Sequence, residues 1–473
     1  MISIPLILIA GPLVVAVVSY LIRRATLIVS LLSVVVAGGF AWLVSSAPLS
    51  PNETILGGWV SGGEQIILGR ALVLAPVDRP VLIGLSLAAA ALFVLAGVMP
   101  RAYGRPDDTF FPGLMALLGI AASILVTETF VFSVLLIEIA VMLVTALLQG
   151  ARFGSTRGAW RFFLFSTLAL PFLLVAGWQI DFQASNPGQT DLLNPAVLLL
   201  TLGFAIYLSA IPFHFWVAPA AGEAHPLAQP VAFGFLQVIM ISVIARAFEQ
   251  FPWFAESEVP FQWFTFLGTL TSGVGAVLAF SSTSFGQLAG YNLLVDMGGL
   301  LLLLGTGSQA GLQVGWALIL TRTVSLTIWG TGLAVIRARA GSDQIDGAAN
   351  LGRSFPIATA ALVMGGFALA GFPLTPGFPT RWMAAGLIAH ASIGQASLLL
   401  LGSASGVIGM ARMVRTLLGS VPASDTETPA GRWRWVTTVT VVIVLLGGVI
   451  ISVFPNPIIA AAEQIASHFT FLQ

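Results

Sequence analysis

The sequence predicts an all-α polytopic membrane protein with about fourteen transmembrane helices. Two observations carry this prediction. Of the 473 residues, 57% are apolar and only 8% are charged, whereas soluble proteins have roughly 25% charged residues. The apolar residues are also grouped in successive runs of the roughly 20 residues that an α-helix needs to cross the hydrocarbon core.

The predicted spans follow one another along the chain. Their approximate bounds are 4–22, 26–46, 80–100, 110–126, 129–150, 158–178, 194–211, 227–247, 262–281, 285–305, 312–336, 354–387, 392–417 and 435–455. The first apolar run lacks the basic start of a signal peptide, so we expect a membrane helix that is retained. The only sizeable insertion, loop 47–79, alternates polar and apolar residues and is compatible with a small hairpin.

Two regions predict interrupted helices, because proline removes a backbone donor and clashes with the preceding turn. One is broken near Pro212, and the other contains Pro373, Pro376 and Pro379. Each break falls in the fourth helix of a five-helix unit, helices 4–8 and helices 9–13. Repeats with matching broken helices indicate an ion path near the membrane midplane. The predicted domains are an N-terminal three-helix segment (1–105), two repeats (106–250 and 251–420) and a C-terminal helix with its tail (421–473).

All 19 basic residues are arginine, and the chain contains neither lysine nor cysteine. Arginines concentrate on the loops of one predicted face, which holds Arg23, Arg24, Arg101, Arg105, Arg152, Arg157, Arg161, Arg337, Arg339, Arg353, Arg412, Arg415, Arg432 and Arg434. The opposite face holds Arg70, Arg79 and Arg246. The positive-inside rule therefore predicts that the first face is cytoplasmic and both termini lie outside. The expected location is the bacterial inner membrane.

Several classes of site are excluded or not expected. Without cysteine there is no disulfide, thiol catalysis or cysteine-bound iron–sulfur cluster. The four histidines, at 214, 225, 390 and 468, have no ligand spacing, so no metal site is predicted. There is no Gly-rich phosphate loop and no nucleic-acid signature. The sequence therefore predicts no cofactor in this chain.

Four motifs, in this order, resemble those of the antiporter-like membrane subunits of respiratory complex I. They are FVFSVLLIEIAVML, GAWRFFLF, AIPFHFW and FALAGFPLTPGFPTRW. The resemblance is greatest to the N-type subunit and extends to multisubunit Na+/H+ antiporters. It implies fourteen helices, with helices 4–8 and 9–13 as inverted repeats. It also implies lipids and other membrane-arm subunits as partners, with the redox chemistry and quinone site on other subunits.

The resemblance also assigns positions in the proton path. Family members are thought to use a glutamate on helix 5, lysines on helices 7 and 8, and a lysine or glutamate on helix 12. Glu138 matches the first, Tyr207 and Gln237 occupy the two lysine positions, and Arg381 occupies the last. Asp296 replaces the histidine of helix 10.

These replacements predict a degenerate proton channel. A buried lysine can lose its proton, but arginine in proteins cannot. Tyrosine and glutamine do not carry protons through repeated cycles at neutral pH. We therefore expect a non-pumping or weakly pumping subunit. The proton-path candidates are Glu138, Tyr207, His214, Gln237, Asp296, Arg322 and Arg381.

Three of these candidates are charges within predicted spans of the second repeat. Unpaired, each costs several kcal/mol in hydrocarbon, so we expect Asp296 to pair with Arg322 or Arg381. The pair either locks its helices statically or forms an active conduit. For His214 and Glu138 the alternatives are structural hydrogen bonding, for Glu138 with Tyr207, or proton transfer. Glu223 and His225 are expected in a solvated turn.

Other functions remain open at this point. The chain resembles a subunit of a cation/proton antiporter if Glu138 and Asp296 face one aqueous cavity. It is a scaffold between pumping subunits if conduction is lost. Membrane-bound hydrogenases and inorganic-carbon-uptake complexes use similar subunits.

Overall fold

The computed structural model describes residues 2–47, 54–55, 60–61, 65–67, 70–99, 104–149, 156–186, 193–419 and 432–471. The helices are α1 Ile4–Leu21, α2 Thr26–Ser46, α3 Asp78–Val98, α4 Phe110–Val126, α5 Phe130–Gln149, α6 Arg157–Thr167, α7 Ala169–Ser185, α8 Leu193–Tyr207, α9 Val217–Glu223, α10 Leu236–Gln250, α11 Pro252–Ala255, α12 Glu258–Phe280, α13 Phe285–Gly305, α14 Gln309–Ala340, α15 Leu351–Ser354, α16 Pro356–Ala370, α17 Gly377–Ala391, α18 Ile393–Leu417, α19 Arg432–Val453 and α20 Asn456–Ala466. Two short 3-10 turns, Pro226–Ala228 and Asp346–Ala348, and a π-helical turn, Val231–Phe235, complete the helical structure.

The predicted helical membrane fold is confirmed, and a helix lies in each predicted apolar segment. In the described parts of the chain, 11 helices are long and apolar enough to cross a membrane. Shorter apolar helices are Phe110–Val126, Leu193–Tyr207 and Pro356–Ala370. The count of fourteen spans, the repeat relationship and the domain bounds stay predictions.

Short strands accompany the loop between α2 and α3. They are β1 Ile2–Ser3, β2 Thr54–Ile55, β3 Val60–Ser61, β4 Gln65–Ile67 and β5 Arg70–Leu72. Strands β4 and β5 pair antiparallel, with Gln65 opposite Leu72, so this part of the loop does form the small hairpin. Strand β3 pairs with β1 in parallel and with β2 antiparallel. Arg101 and Arg152, used for the orientation prediction, lie outside the described residues.

Local chemistry fixes several helix starts near the centre of the molecule. The Ser284 hydroxyl accepts a hydrogen bond from Gln287 N (3.1 Å) at the start of α13, and Ser308 accepts one from Gly311 N (3.1 Å) at the start of α14. Such hydroxyls satisfy backbone donors that have no partner within the helix. Pro356 begins α16, where its missing N–H costs nothing.

One predicted span is kinked. The segment 158–178 is divided into α6 and α7 at Leu168. Pro171 lies four residues after Thr167 and has no N–H to donate to the Thr167 carbonyl. The kink therefore places Thr167 at the end of α6, which matters for the site described below.

Burial differs strongly between the membrane helices. In an apolar 18-residue stretch of the segment Pro226–Gln250 and of helix α13, 94% and 89% of the residues are buried, whereas the shares are 33% in α1 and 22% in Trp435–Val453 of α19. The enclosed helices contain Gln237 and Asp296. Gln237 and Asp296 are therefore shielded by protein.

Candidate functional site

The main polar site, called here the Asp296 cluster, consists of Asp296, Arg322, Arg381 and Gln237. Asp296 lies in the middle of α13, Arg322 in the middle of α14, Arg381 early in α17 and Gln237 at the start of α10. Their exposed fractions are 6%, 3%, 4% and 2%. The fold therefore brings four of the predicted residues, from three distant parts of the chain, into one enclosed site.

The Asp296 carboxylate accepts from both arginines. Arg322 Nε donates to Oδ2, and Arg381 Nη2 lies 2.8 Å from Oδ1. The expected pairing with Arg322 or Arg381 is confirmed, and the structure contains both pairs. A guanidinium held against a carboxylate in this way fixes both groups, since charge-assisted hydrogen bonds are short and strong.

Gln237 extends the cluster to α10, which lies in the predicted first repeat. Its Oε1 accepts a hydrogen bond from Arg322 Nη1 at 2.6 Å. The π-helical turn Val231–Phe235 directly precedes α10, and at Gly234 an added Cβ would lie 2.4 Å from Thr323 Oγ1. The absence of a side chain at Gly234 thus allows α14 to approach closely. Gly234, three residues before Gln237, was therefore the sequence signal for this close approach of two helices.

The break between α16 and α17 positions Arg381. Helix α16 ends at Ala370 and is followed by Gly371, which has a φ of 72°. Arg381 Nη2 also donates to the Leu369 carbonyl at 3.1 Å. An added Cβ at Gly371 would lie 2.8 Å from Arg381 Cγ. A cation at a helix C-terminus is favourable because the last carbonyls lack intrahelical donors. The predicted interruption therefore supplies the arginine with an acceptor.

A second site surrounds Glu138 on α5. The side chain is buried, and Oε1 accepts a hydrogen bond from Thr167 Oγ1 at 2.5 Å. Within the described residues, Glu138 Oε2 and the Tyr207 hydroxyl have no hydrogen-bond partner. The expected bond between Glu138 and Tyr207 is therefore wrong. Thr167 is the donor instead, because the kink before Pro171 places it opposite α5.

His214 lies in the break between α8 and α9. It is half-buried, and its ring packs against Phe215 with centroids 4.4 Å apart. Across the described residues, no hydrogen bond or ion pair joins it to Glu138 or to the Asp296 cluster. The Ile211 N–H in the same break donates to Thr271 Oγ1 at 3.2 Å, which satisfies a backbone group freed by the interruption.

Glu223 and His225 are not in a solvated turn, so that expectation is wrong. Glu223 Oε2 accepts from Gly158 N, at the start of α6, at 2.6 Å. His225 Nε2 lies 2.8 Å from the Gly104 carbonyl, and its Nδ1 accepts from Leu227 N at 3.1 Å. These contacts assign the Nε2–H tautomer. The Glu223 side chain thus lies at the N-terminus of α6, the positive end of the helix dipole, where an acidic group is favourable. This contact holds the segment 223–225 against α6.

Arg337, near the end of α14, holds the same region. It donates to the carbonyls of Ala224 (3.1 Å) and Gly222, and its Nε lies 3.5 Å from Asp343 Oδ1. Burial raises the pKa of Asp343, and the nearby Arg337 opposes this shift. Glu223 and Asp343 line a cavity of about 450 Å³ with Tyr291 and Gln287. This cavity reaches α13 one to two turns before Asp296.

No group of three or more His, Asp or Glu suited to a metal ion occurs in the part of the chain that the structure describes. Both carboxyl sites contain hydrogen-bond donors or arginine instead. The chemistry available is therefore hydrogen bonding, ion pairing and proton transfer.

The chain matches one protein family over more than half of its length. The family described as "NADH:quinone oxidoreductase/Mrp antiporter, TM" matches residues 152–409. A NADH-quinone oxidoreductase subunit N 2 from Acidobacterium capsulatum is 28% identical over 400 residues, which cover 77% of this chain and 80% of that protein.

Two solved structures share the fold. A chain of the membrane-bound sulfane sulfur reductase, an archaeal respiratory membrane complex, superposes with a TM-score of 0.80 and 18% identity over 98% of this chain and 97% of its own. A chain of respiratory complex I from Thermus thermophilus gives a TM-score of 0.71 and 20% identity over 98% and 100%.

Proposed function

The chain belongs to the NADH:quinone oxidoreductase/Mrp antiporter transmembrane family, and from this premise we propose that it is an N-type membrane-arm subunit of a complex I-like assembly. In that assembly other subunits reduce quinone, and the free energy released drives proton translocation. The relative in Acidobacterium capsulatum carries the subunit N name. The multi-pass helical fold, the broken helices and the buried charges suit a place in such a membrane arm.

We further propose that this subunit's own proton channel is degenerate. The observation that carries this proposal is the Asp296 cluster, where fixed arginines and Gln237 occupy the path. Arg322 Nη1 is bonded to Gln237 at 2.6 Å and Arg381 Nη2 to Asp296 at 2.8 Å. Arginine does not release its proton, and an amide does not gain one at neutral pH. The cluster is therefore a static lock between α10, α13, α14 and α17.

The proposed orientation places the arginine-rich loops in the cytoplasm of a bacterial cell and both ends of this chain outside. The support is the excess of arginine on alternate loops. The contacts of Glu223, His225 and Arg337, together with the 450 Å³ cavity, then lie on the cytoplasmic side. Water entering that cavity comes within two helical turns of Asp296 along α13.

A second assembly is favoured by one observation, the superposition on a sulfane sulfur reductase chain with a TM-score of 0.80. Other respiratory membrane complexes, and cation/proton antiporters, are thus alternative assemblies for the same subunit. In each of them the degenerate channel makes this chain a scaffold between conducting neighbours.

The test of the assembly is purification of the full-length chain from its native membrane in mild detergent, with mass spectrometry of the proteins that accompany it. We expect quinone-reductase and iron–sulfur subunits together with lysine-bearing antiporter-like subunits. Cation-antiporter subunits alone, or no partner, would overturn the assignment. Proton-to-electron stoichiometry of the purified assembly then tests the channel separately.

A further inference from the structure

We propose that the Asp296 cluster binds one small monovalent anion of the chloride type. The cluster contains two guanidinium groups and one carboxylate, all at least nine-tenths buried. Since arginine stays protonated, the site carries a net charge of +1 while Asp296 is ionised. An uncompensated charge inside a membrane domain costs several kcal/mol, and an anion would remove that cost. This proposal does not depend on the proposed function.

Two guanidinium nitrogens are left over for such a ligand. Both oxygens of Asp296 are already used, Oδ2 by Arg322 and Oδ1 by Arg381. Arg322 also bonds to Gln237, and Arg381 to the Leu369 carbonyl. Among the described residues, Arg322 Nη2 and Arg381 Nη1 are buried without a partner. Each arginine therefore contributes one unused donor group.

The space for the ligand is a cavity of about 10 Å³. The three charged side chains line it together with hydroxyl and amide groups, and the lining contains no acid other than Asp296. Such a volume holds about one water molecule. A chloride ion has about twice the volume of a water-sized probe, so the lining must move outward by a few tenths of an ångström to hold it. One water molecule would accept hydrogen bonds from the two arginines but would leave the net charge uncompensated. An anion would accept the same hydrogen bonds and would also compensate the charge.

The hydroxyl groups of the lining allow a third contact. Thr321 and Ser325 donate to carbonyls of their own helix at 2.7 and 2.8 Å. Thr380 Oγ1 lies 3.3 Å from the Gly377 carbonyl, which is long for an O–H···O bond. The Thr380 hydroxyl is thus the one most easily turned toward an anion.

The route to the cluster affects how the ion must be measured. The neighbouring cavity of about 450 Å³ contains Glu223, Asp343 and Arg337, so acids outnumber bases there and anions are repelled. We therefore expect the anion to enter mainly during folding and to exchange slowly afterwards. Because unfolding releases it, stability must still depend on its concentration.

The first experiment is thermal unfolding of the full-length chain in detergent at constant ionic strength, with chloride replaced stepwise by gluconate. We expect the Tm to rise with each tenfold increase in chloride above the dissociation constant, and bromide to replace chloride. Gluconate is too large for the cavity. Arg381→Gln removes the excess charge and should make the Tm independent of chloride. Arg412→Gln is the matched control, because Arg412 is exposed and bonds to the Phe280 carbonyl outside the cluster.

The second experiment does not depend on a variant folding. The wild-type chain is produced and purified in bromide, desalted into gluconate and analysed for bromide by mass spectrometry. We expect one bromide per chain in the wild type and in Arg412→Gln, and none in Arg381→Gln. A wild-type chain that retains no bromide and shows no chloride-dependent Tm would establish a water-filled cavity and overturn the proposal. Bromide retained equally by Arg381→Gln would place the ion elsewhere and overturn it as well.

Discussion

Glu138 and Asp296 are both carboxyl groups buried in membrane helices, but their partners differ in kind. Glu138 has one neutral donor, the Thr167 hydroxyl at 2.5 Å, and its second oxygen has no partner in the described structure. Asp296 has two guanidinium partners. The contact of Glu138 is a hydrogen bond to a neutral hydroxyl group, whereas both contacts of Asp296 are ion pairs. The carboxyl group on α5 is thus held by one neutral donor, whereas the one on α13 is fixed by two ion pairs.

The largest effect is expected when the fixed carboxylate is removed. Asp296→Asn leaves two buried guanidinium groups without their counter-charge, and breaking a buried pair costs about 3–5 kcal/mol. We expect a much lower free energy of unfolding in detergent, measured by tryptophan fluorescence during SDS titration. The control is Asp346→Asn, because Asp346 is exposed. Equal stability of the two variants would contradict the ion-pair lock.

Removing one of the two arginines should have a smaller effect. Arg322→Ala leaves Asp296 paired with Arg381, but it leaves Gln237 Oε1 without its donor and opens space between α13 and α14. We expect a loss of about 2 kcal/mol, measured in the same titration. Arg415→Ala, on the exposed side of α18, is the matched control. Normal stability and assembly of the Arg322 variant would argue against the pairing.

Removing the hydroxyl partner of Glu138 should lower the free energy of unfolding by less than either substitution in the Asp296 cluster. Thr167→Val keeps the shape of the side chain but removes the hydroxyl, so a buried carboxyl group loses its donor at a cost of about 1–2 kcal/mol. Thr440→Val is a suitable control, because the Thr440 hydroxyl donates to the Val436 carbonyl of its own helix and not to a buried carboxyl group in the described structure. If the two variants unfold alike, Thr167 does not hold Glu138.

The smallest effect is expected for Glu138→Gln. The amide oxygen still accepts from Thr167, so the fold should be retained. With a degenerate channel, the proton-to-electron stoichiometry of the assembly should stay the same, measured by proton uptake in proteoliposomes during quinone reduction. The same substitution at the equivalent glutamate of a lysine-bearing partner subunit should lower it. Loss of pumping through this subunit in Glu138→Gln would show that its channel is active.

The sequence was sufficient for the parts of the structure that depend on local chemistry or on large energies. Apolar run length located the helices, and the cost of buried charge predicted that Asp296 meets an arginine. The sequence was not sufficient where contacts between distant segments determine the partner of a polar side chain. In the sequence, nothing distinguishes Thr167 from other threonines in apolar helices. Only the kink before Pro171 turns its hydroxyl group toward α5. Likewise, the sequence does not distinguish Glu223 from an acidic residue in a solvated loop. Its partner, the Gly158 N–H at 2.6 Å, lies at the start of α6, far away in the sequence.

The consecutive placement of Asp296 and Arg322 on α13 and α14 has a consequence for biogenesis. The two helices leave the ribosome one after the other, separated by the short turn at 306–308. The carboxylate can therefore enter the bilayer together with its first counter-charge as one hairpin, before Arg381 has been synthesised. We expect a chain truncated after residue 345 to insert α13 as efficiently as the whole protein, and the truncated Arg322→Ala chain to insert it less efficiently in a glycosylation-mapping assay.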